Sequence, residues 1–353
     1  MGRISFAKPK PDEMVFCLCY NVHGVTSADE SPPGKGLRML TFINESTDPF
    51  YNQAFEEYVF ENYAEDDVFY LWQNRPAIVV GCYQNICREV NIHALRRRGV
   101  PVVRRMTGGG TVYHDLGNVN YSYMLRADGA LDYDHFLDPV IAALNRMGIP
   151  ARKNRSCDIA IGDRKISGSA QKAAGGRILH HGTLLFESDL ASLDAFTAHA
   201  KNDAFQTKGT LSAICTVTNI RDHLAEPMSI ADFRSRLLAE LLPAGSRCVE
   251  LTDDQRAQVR RLRNEKYRSW DWTWGKTPTF SYERAGSFAG QPLRISYRAK
   301  KGVLSDAVIE SPVIDASLAA SLLNGSRLDP DGFSKICFAL AGARAQELME
   351  LLL

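Results

Sequence analysis

The sequence predicts an α/β chain of two unequal parts. Three observations carry this: helical and strand periodicities alternate from residue 39 onward, glycine or proline punctuates most changes of period, and the pattern breaks at 245–252 before restarting. At 353 residues the chain has room for one large domain or two ordinary ones. Its 45% hydrophobic and 24% charged content excludes a disordered, collagenous or coiled-coil chain. Lys and Arg total 42 against 41 Asp and Glu, so bulk charge gives no case for a nucleic-acid or membrane surface. No apolar run approaches the roughly 18 residues of a membrane span. Met14 to Tyr20 is too short for a signal peptide. Eight cysteines over this length suit a reducing, cytoplasmic compartment. The pairs Cys17/Cys19 and Cys82/Cys87 lack the further ligands that a zinc site needs.

Residues 1–38, with Pro9, Pro11, Pro32, Pro33, Gly34 and Gly36, read as an extension outside the main fold. Asp48 as N-cap and Pro49 at the first helical position open an amphipathic helix with Tyr51, Ala54, Phe55, Tyr58 and Val59 on one face. Strands are expected at 68–72 and 78–80, a helix at 91–98 closed by Gly99, and a strand at 102–105 that enters a glycine cluster. Val119, Tyr121, Tyr123 and Leu125 mark a buried strand; Leu137, Val140, Ile141 and Leu144 recur at helical spacing. Gly162-Asp163 between 158–161 and 165–169 signals a hairpin, which puts Lys165 on or beside a strand. A further strand at 184–186 precedes a helix that Ser229 caps and Pro243 ends. The stretch 245–252 reads as a linker. Beyond it come a helix, a turn in which Trp270, Trp272 and Trp274 alternate at strand-like spacing, strands at 294–297 and 303–309 about Gly302, and two helical stretches. The expected division is 39–248 and 249–353.

The densest chemical signal is RRMTGGGTVYHDLGN at 104–118. Three consecutive glycines let backbone N–H groups approach an anion, and arginines neutralise phosphate by forked hydrogen bonds. The run matches neither the P-loop nor the dinucleotide fingerprint, and a plain tight turn remains an alternative. In SCDIAIGDRKISGSAQ at 156–171, a carboxylate, Asp158, precedes Lys165 by seven residues. A carboxylate holds a divalent metal on phosphate oxygens, and a lysine stabilises charge developing on a phosphate or acyl oxygen; a solvent-facing lysine is the bland alternative. His180, His181 and Gly182 precede the strand at 184–186, and such a histidine pair serves structure as readily as catalysis.

Together with DPFYNQAFEEY at 48–58, VVGCYQN at 79–85, VTNI at 217–220 and NEKYRSWDWTWGKTPTF at 264–280, these runs resemble the lipoate-protein ligase A family in its two-domain bacterial form, from about Thr41 onward. The resemblance implies a class II synthetase-like catalytic domain with a mixed sheet, as in biotin ligases, and a small α+β accessory domain. It also implies an ATP- and Mg²⁺-dependent activation of lipoate to an adenylate, followed by transfer to a lysine. The acceptors implied are the lipoyl domains of 2-oxoacid dehydrogenase acyltransferase subunits and the glycine cleavage H protein, with the ligase a cytoplasmic monomer. Carried over by position, Arg105, Gly108, Gly109, Gly110, Thr111, Val112 and Tyr113 would hold ATP and adenylate. Lys165 would be the catalytic lysine on both acyl and phosphate oxygens. Ser167, Gly168, His181 and Gly182 would line the adenylate pocket. Lys165, Gly109, Gly110 and His114 would contact lipoate in an apolar tunnel, and Asp158 would help to bind Mg²⁺.

The chain departs from that pattern at Cys82 and Cys157, and Ile214 and Thr216 replace arginines of a loop that folds over the adenylate in the family. The loop 208–218 is therefore expected to close mainly through apolar and backbone contacts. The competing reading is an ATP-independent lipoyl or octanoyl transferase with Cys157 as nucleophile, its thiolate favoured by Lys165. A biotin ligase or a catalytically silent lipoyl-binding protein are further alternatives. The basic residues Arg256, Arg260, Arg261, Arg263, Lys266 and Arg268 read as a solvated helix face or as a dock for an acidic acceptor.

Overall fold

The computed structural model describes residues 39–127, 132–197, 204–213 and 215–353; the 1–38 extension and Ile214 lie outside the described residues. Its elements run β1 (Met39–Phe42), α1 (Pro49–Asn62), β2 (Asp67–Trp72), β3 (Ala77–Val80), α2 (Ile86–Glu89), α3 (Ile92–Arg98), β4 (Val102–Arg104), β5 (Val112–His114), β6 (Asn118–Arg126), α4 (Asp134–Arg146), β7 (Ala151–Lys153), β8 (Asp158–Ile161), β9 (Arg164–Ala174), β10 (Arg177–Leu185), α5 (Leu190–Thr197) and β11 (Phe205–Thr207). They continue with α6 (Ile230–Leu241), β12 (Arg247–Val249), α7 (Asp253–Leu262), α8 (Trp270–Thr273), β13 (Phe280–Phe288), β14 (Gln291–Lys300), β15 (Val303–Glu310), α9 (Ala316–Leu323), α10 (Pro330–Ala341) and α11 (Ala345–Leu352).

Local signals place many of these. Asp48 accepts the Phe50 N–H at 3.1 Å and opens α1. Asn91 caps α3, and Gly99 ends it at φ 64° in the left-handed region that glycine enters without a Cβ penalty. Pairing then gathers distant strands into an eight-stranded sheet in the order β12-β1-β2-β6-β10-β9-β8-β7. The β12–β1 and β1–β2 pairs are parallel and the rest antiparallel, so the sheet is mixed, as the resemblance implies.

Alternation along β2 divides the core between the sheet's two faces. Val68, Tyr70 and Trp72 pack with α1 and α7, while Phe69 and Leu71 pack with the apolar faces of α4 and α6. A third core joins β13, β14 and β15 to α9, α10 and α11 and reaches the small β4-β3-β5 sheet.

Three features differ from the expectation. The linker at 245–252 contains β12, which pairs with β1 at Leu40–Arg247 and Phe42–Val249. A three-residue strand carries no readable alternation, and its partner lies some 200 residues away in sequence. The turn that holds the tryptophans is helical: α8 forms there because the Ser269 hydroxyl accepts the Trp272 N–H at 3.2 Å and starts a helix, despite the strand-like spacing of the three rings. Of the six basic residues after 255, Arg263 and Lys266 are half-buried instead of lying on a solvated face: Arg263 pairs with Asp48 and Lys266 with Glu57, tying this segment to α1, and exposed Arg268 also reaches Asp48.

Candidate active site

The glycine run leaves β4, and the β8–β9 hairpin carries the acid and the lysine. Pairing of β9 with β10, and of β10 with β6, brings both to one cavity of about 270 Å³. Of the residues expected from sequence, Arg105, Gly109, Gly110, Thr111, Val112, His114, Asp158, Lys165, Gly168, His181 and Gly182 lie in its wall. Gly108, Tyr113 and Ser167 do not; Tyr113 turns its ring onto Phe196, 5.6 Å away.

Lys165 Nζ lies 2.8 Å from Asp158 Oδ1, and Asp158 is buried. Register pairs Asp158 with Gly168, and a Cβ on Gly168 would stand 2.7 Å from Nζ. Glycine there lets the lysine chain cross the strand. The hairpin turns at Gly162, φ 55°, and a register shift between Ile159 and Ala160 re-aims the lysine. Among the described residues no cluster of three or more His, Cys, Asp or Glu could hold a metal by itself. Asp158 alone nevertheless fits Mg²⁺, which is commonly held by one or two carboxylates plus substrate phosphates.

Arg105 is spent largely on shaping the run. Its guanidinium donates to Gly110 O (2.7 Å), to Val79 O (3.2 Å), to Gly108 O and to Thr107 Oγ1 (3.0 Å), and burial lowers its pKa to about 10. The Thr107 hydroxyl continues to His181 Nε2 at 2.8 Å, and His181 Nδ1 meets both oxygens of fully buried Glu56 at 2.9 Å. The Glu56 carboxylate oxygens accept, so His181 Nδ1–H is directed at them, and the Thr107 hydroxyl links Arg105 to His181 Nε2. Glu56 also accepts from Ser122 Oγ at 2.6 Å. His114, buried beside Arg105, is held at about 3, chiefly by desolvation, and stays neutral.

Sequence reasoning missed Glu56, Gly81, Gln84 and Ser212. The loop at 210–213 closes one side of the cavity. The expectation of apolar and backbone contacts holds for Lys165 N–H to Thr216 O (2.9 Å) and Thr218 N–H to Lys165 O (3.0 Å). It fails at Ser212, whose Oγ accepts from Thr111 N–H (2.8 Å) and Gln84 Nε2 (3.0 Å) and donates to buried Glu89. No motif flags a serine that acts through such distant partners.

Arg104, fully buried, donates to Gly81 O (2.8 Å), Cys82 O (3.2 Å) and Gln84 O (3.0 Å) on one side and to Thr273 O (2.9 Å) and Thr277 Oγ1 (3.2 Å) on the other. Cys157 stands beside Asp158, with Sγ 3.7 Å from Oδ1. Burial, then the Asp158 charge, push its thiol above the ordinary value, against the expectation that Lys165 favours a thiolate.

A family model described as the lipoyl protein ligase A/B catalytic domain matches residues 48–242. Lipoate–protein ligase 1 of Staphylococcus aureus is 37% identical over 273 residues, covering 75% of this chain and 82% of its own. A Thermoplasma acidophilum structure described as a putative lipoate protein ligase with bound lipoic acid superposes at TM-score 0.58, with 23% identity, over 67% of this chain and 99% of that one. A crystal structure of lipoate-protein ligase A bound with ATP gives 0.57 at 23% identity, over 67% and 98%. With its cavity built on the mixed sheet of that fold, the chain belongs to the lipoyl protein ligase A/B family and is an enzyme of the ligase class.

Proposed function

We propose that the chain is an ATP-dependent lipoate–protein ligase whose cavity holds both halves of a mixed anhydride. The observation that carries this reading is the Lys165–Asp158 pair, set across Gly168 and sharing one cavity with the glycine run. A lipoate carboxylate oxygen attacks the α-phosphorus of ATP, the α–β P–O bond breaks, and pyrophosphate leaves. The acceptor lysine's amine then attacks the acyl carbon, AMP departs with the acyl C–O electron pair, and the amine loses its proton as the amide forms.

Lys165 meets the charge that develops on the phosphate and acyl oxygens. The backbone of Gly109 and Gly110, held in shape by Arg105, faces the phosphates in this reading. Asp158 would hold Mg²⁺ against those phosphates, where the ion spreads charge on the leaving group. Thr210, Leu211, Ser212 and Ala213 wall off one side, and exclusion of water protects the anhydride from hydrolysis. Gly108, Tyr113 and Ser167, outside the cavity wall, support the nucleotide-binding strands from behind in this reading. Lipoyl domains of acyltransferase subunits and the glycine cleavage H protein are the proposed acceptors, with the enzyme a cytoplasmic monomer. No helix among the described residues is long and apolar enough to cross a membrane. A catalytic part at 39–248 and an accessory part at 249–353, built on the β13–β15 meander, belong to the same reading.

ATP–pyrophosphate exchange without acceptor protein tests it. Exchange that depends on lipoate is expected, and its absence with lipoate and octanoate alike would overturn the reading. The transferase alternative requires a reactive Cys157 thiolate, which burial and Asp158 oppose. Cys157→Ser is accordingly expected to retain lipoate-dependent exchange within about threefold of wild type, since a half-buried cysteine that serves only as packing tolerates a near-isosteric change; an ATP-independent acyl transfer that this substitution abolishes would restore the nucleophile.

A further inference from the structure

A wall that opens for ATP and closes over an anhydride needs a reversible tie, and the loop at 210–213 has one at Ser212. Thr210 N–H donates to the Tyr83 carbonyl at 3.1 Å before it, and the backbone pairing of Lys165 with Thr216 and Thr218 holds the chain after it. Between these ends Leu211 and Ala213 are exposed, while Ser212 is half-buried. Its N–H donates to Glu89 Oε2 at 3.2 Å, and its hydroxyl meets the same oxygen.

Donor and acceptor roles in this cluster are fixed by the partners. Gln84 Oε1 accepts from Gly81 N–H and from Thr111 Oγ1, both at 2.9 Å, so the amide turns its Nε2 toward Ser212 Oγ. Thr111 N–H donates to the same hydroxyl oxygen at 2.8 Å. Two donors fill its lone pairs, and the hydroxyl proton is left for the carboxylate. Glu89, buried at the end of α2, stands outside the cavity wall and meets it through Ser212.

We propose that Glu89 is a positioning residue that, through Ser212, latches the loop onto the glycine run and sets how long the adenylate is retained. The proposal deepens the adenylation reading and rests on it for the adenylate. The turn at 81–84, the glycine run and α2 all meet the loop at one hydroxyl, through Gln84, Thr111 and Glu89. A Cβ on Gly110 would stand 3.1 Å from that oxygen, so the serine lies directly against the run. Charge-assisted hydrogen bonds to Glu89 favour the closed loop, whereas hydration of a carboxylate favours the open one. The small difference between two large terms suits a loop that opens at each turnover. Without the hydroxyl, Thr111 N–H and Gln84 Nε2 lose an acceptor, and water enters to satisfy them. The adenylate then escapes or is hydrolysed: a water oxygen bonds the acyl carbon, its proton goes to solvent, and AMP leaves with the C–O electron pair.

The test compares two lipoate-dependent rates on the full chain without acceptor protein. AMP formation counts adenylate lost to water, and ATP–pyrophosphate exchange counts adenylate kept. The ratio of the first to the second is expected to rise by about tenfold in Ser212→Ala and in Glu89→Ala, the scale of one charge-assisted hydrogen bond, and no further when both are combined. Misfolded protein lowers both rates together, so a merely structural role leaves the ratio where it was. Glu89→Gln keeps the bulk of the side chain and an acceptor oxygen, and it decides the matter should Glu89→Ala fail to fold; a rise of about threefold is expected from the lost charge. A ratio within about twofold of wild type in Ser212→Ala or in the folded Glu89 variant, or effects that multiply in the double variant, overturns the proposal. Absence of lipoate-dependent exchange in the unaltered chain overturns the adenylation reading and retention with it, whereas exchange with an unmoved ratio overturns the latch alone.

Discussion

Lys165→Ala lowers lipoate-dependent pyrophosphate exchange by on the order of 10²-fold or more, the cost of removing one preorganised donor from a developing charge. The lysine is placed for that task by three local facts. Its strand pairs with the strand of Asp158, Gly168 leaves room for its stem, and the 2.8 Å contact with Asp158 directs it into the cavity. The same substitution leaves a buried carboxylate without its cation, so a lower thermal midpoint is expected alongside the lost activity. Rate and stability can be separated by assaying well below that midpoint. Exchange within about tenfold of wild type there would remove Lys165 from the chemistry.

Gly81→Ala is the second large effect, at a residue outside the cavity wall. A Cβ on Gly81 would overlap the Gly109 carbonyl oxygen and stand 3.2 Å from the Arg105 guanidinium. The obstacle is backbone, not a flexible side chain. The glycine run must therefore move, and a displacement of about 1 Å in positioning groups costs roughly 10²-fold in rate. Overpacking adds about 1–3 kcal/mol of destabilisation. Exchange should fall by about that rate factor while far-ultraviolet dichroism stays native. Near-normal exchange would show that the run tolerates being shifted and that its conformation is not set by this close approach.

Much of this arrangement is legible in the sequence where its cause is local. Asp48-Pro49, Asn91 with Gly99, Ser229 and the Gly162-Asp163 turn each act within a few residues, and the elements they open or close stand where expected. The glycine run is readable as a local motif and the Asp158–Lys165 spacing because one hairpin brings those two side by side, whereas the run reaches them only through β6, β10 and β9. What escapes is set by distant partners. β12 exists because β1 is there to pair with it, and β11 because β13 accepts it. Gln53 and Asn120 are ordinary residues of a helix and a strand until the fold brings them to one cavity, and Glu56 is ordinary until His181 meets it. The tryptophan triplet misleads because a period of two over three residues also fits a helical turn, and the serine before it decides the matter.

Arg104 carries a consequence for how the molecule comes apart. No carboxylate among the described residues pairs with it; carbonyl oxygens and one hydroxyl satisfy it, and burial alone brings its pKa to about 10. Those acceptors belong both to the turn at 81–84 and to the tryptophan segment at 273–277, and Trp272 returns a hydrogen bond to the Arg104 carbonyl at 2.8 Å. Detaching the later segment while the earlier one stays folded would strand a guanidinium in a dry interior with two of its five acceptors gone. Partial unfolding at this seam is therefore disfavoured, and the catalytic turn and the tryptophan segment should melt as one cooperative unit, in a single calorimetric transition instead of two.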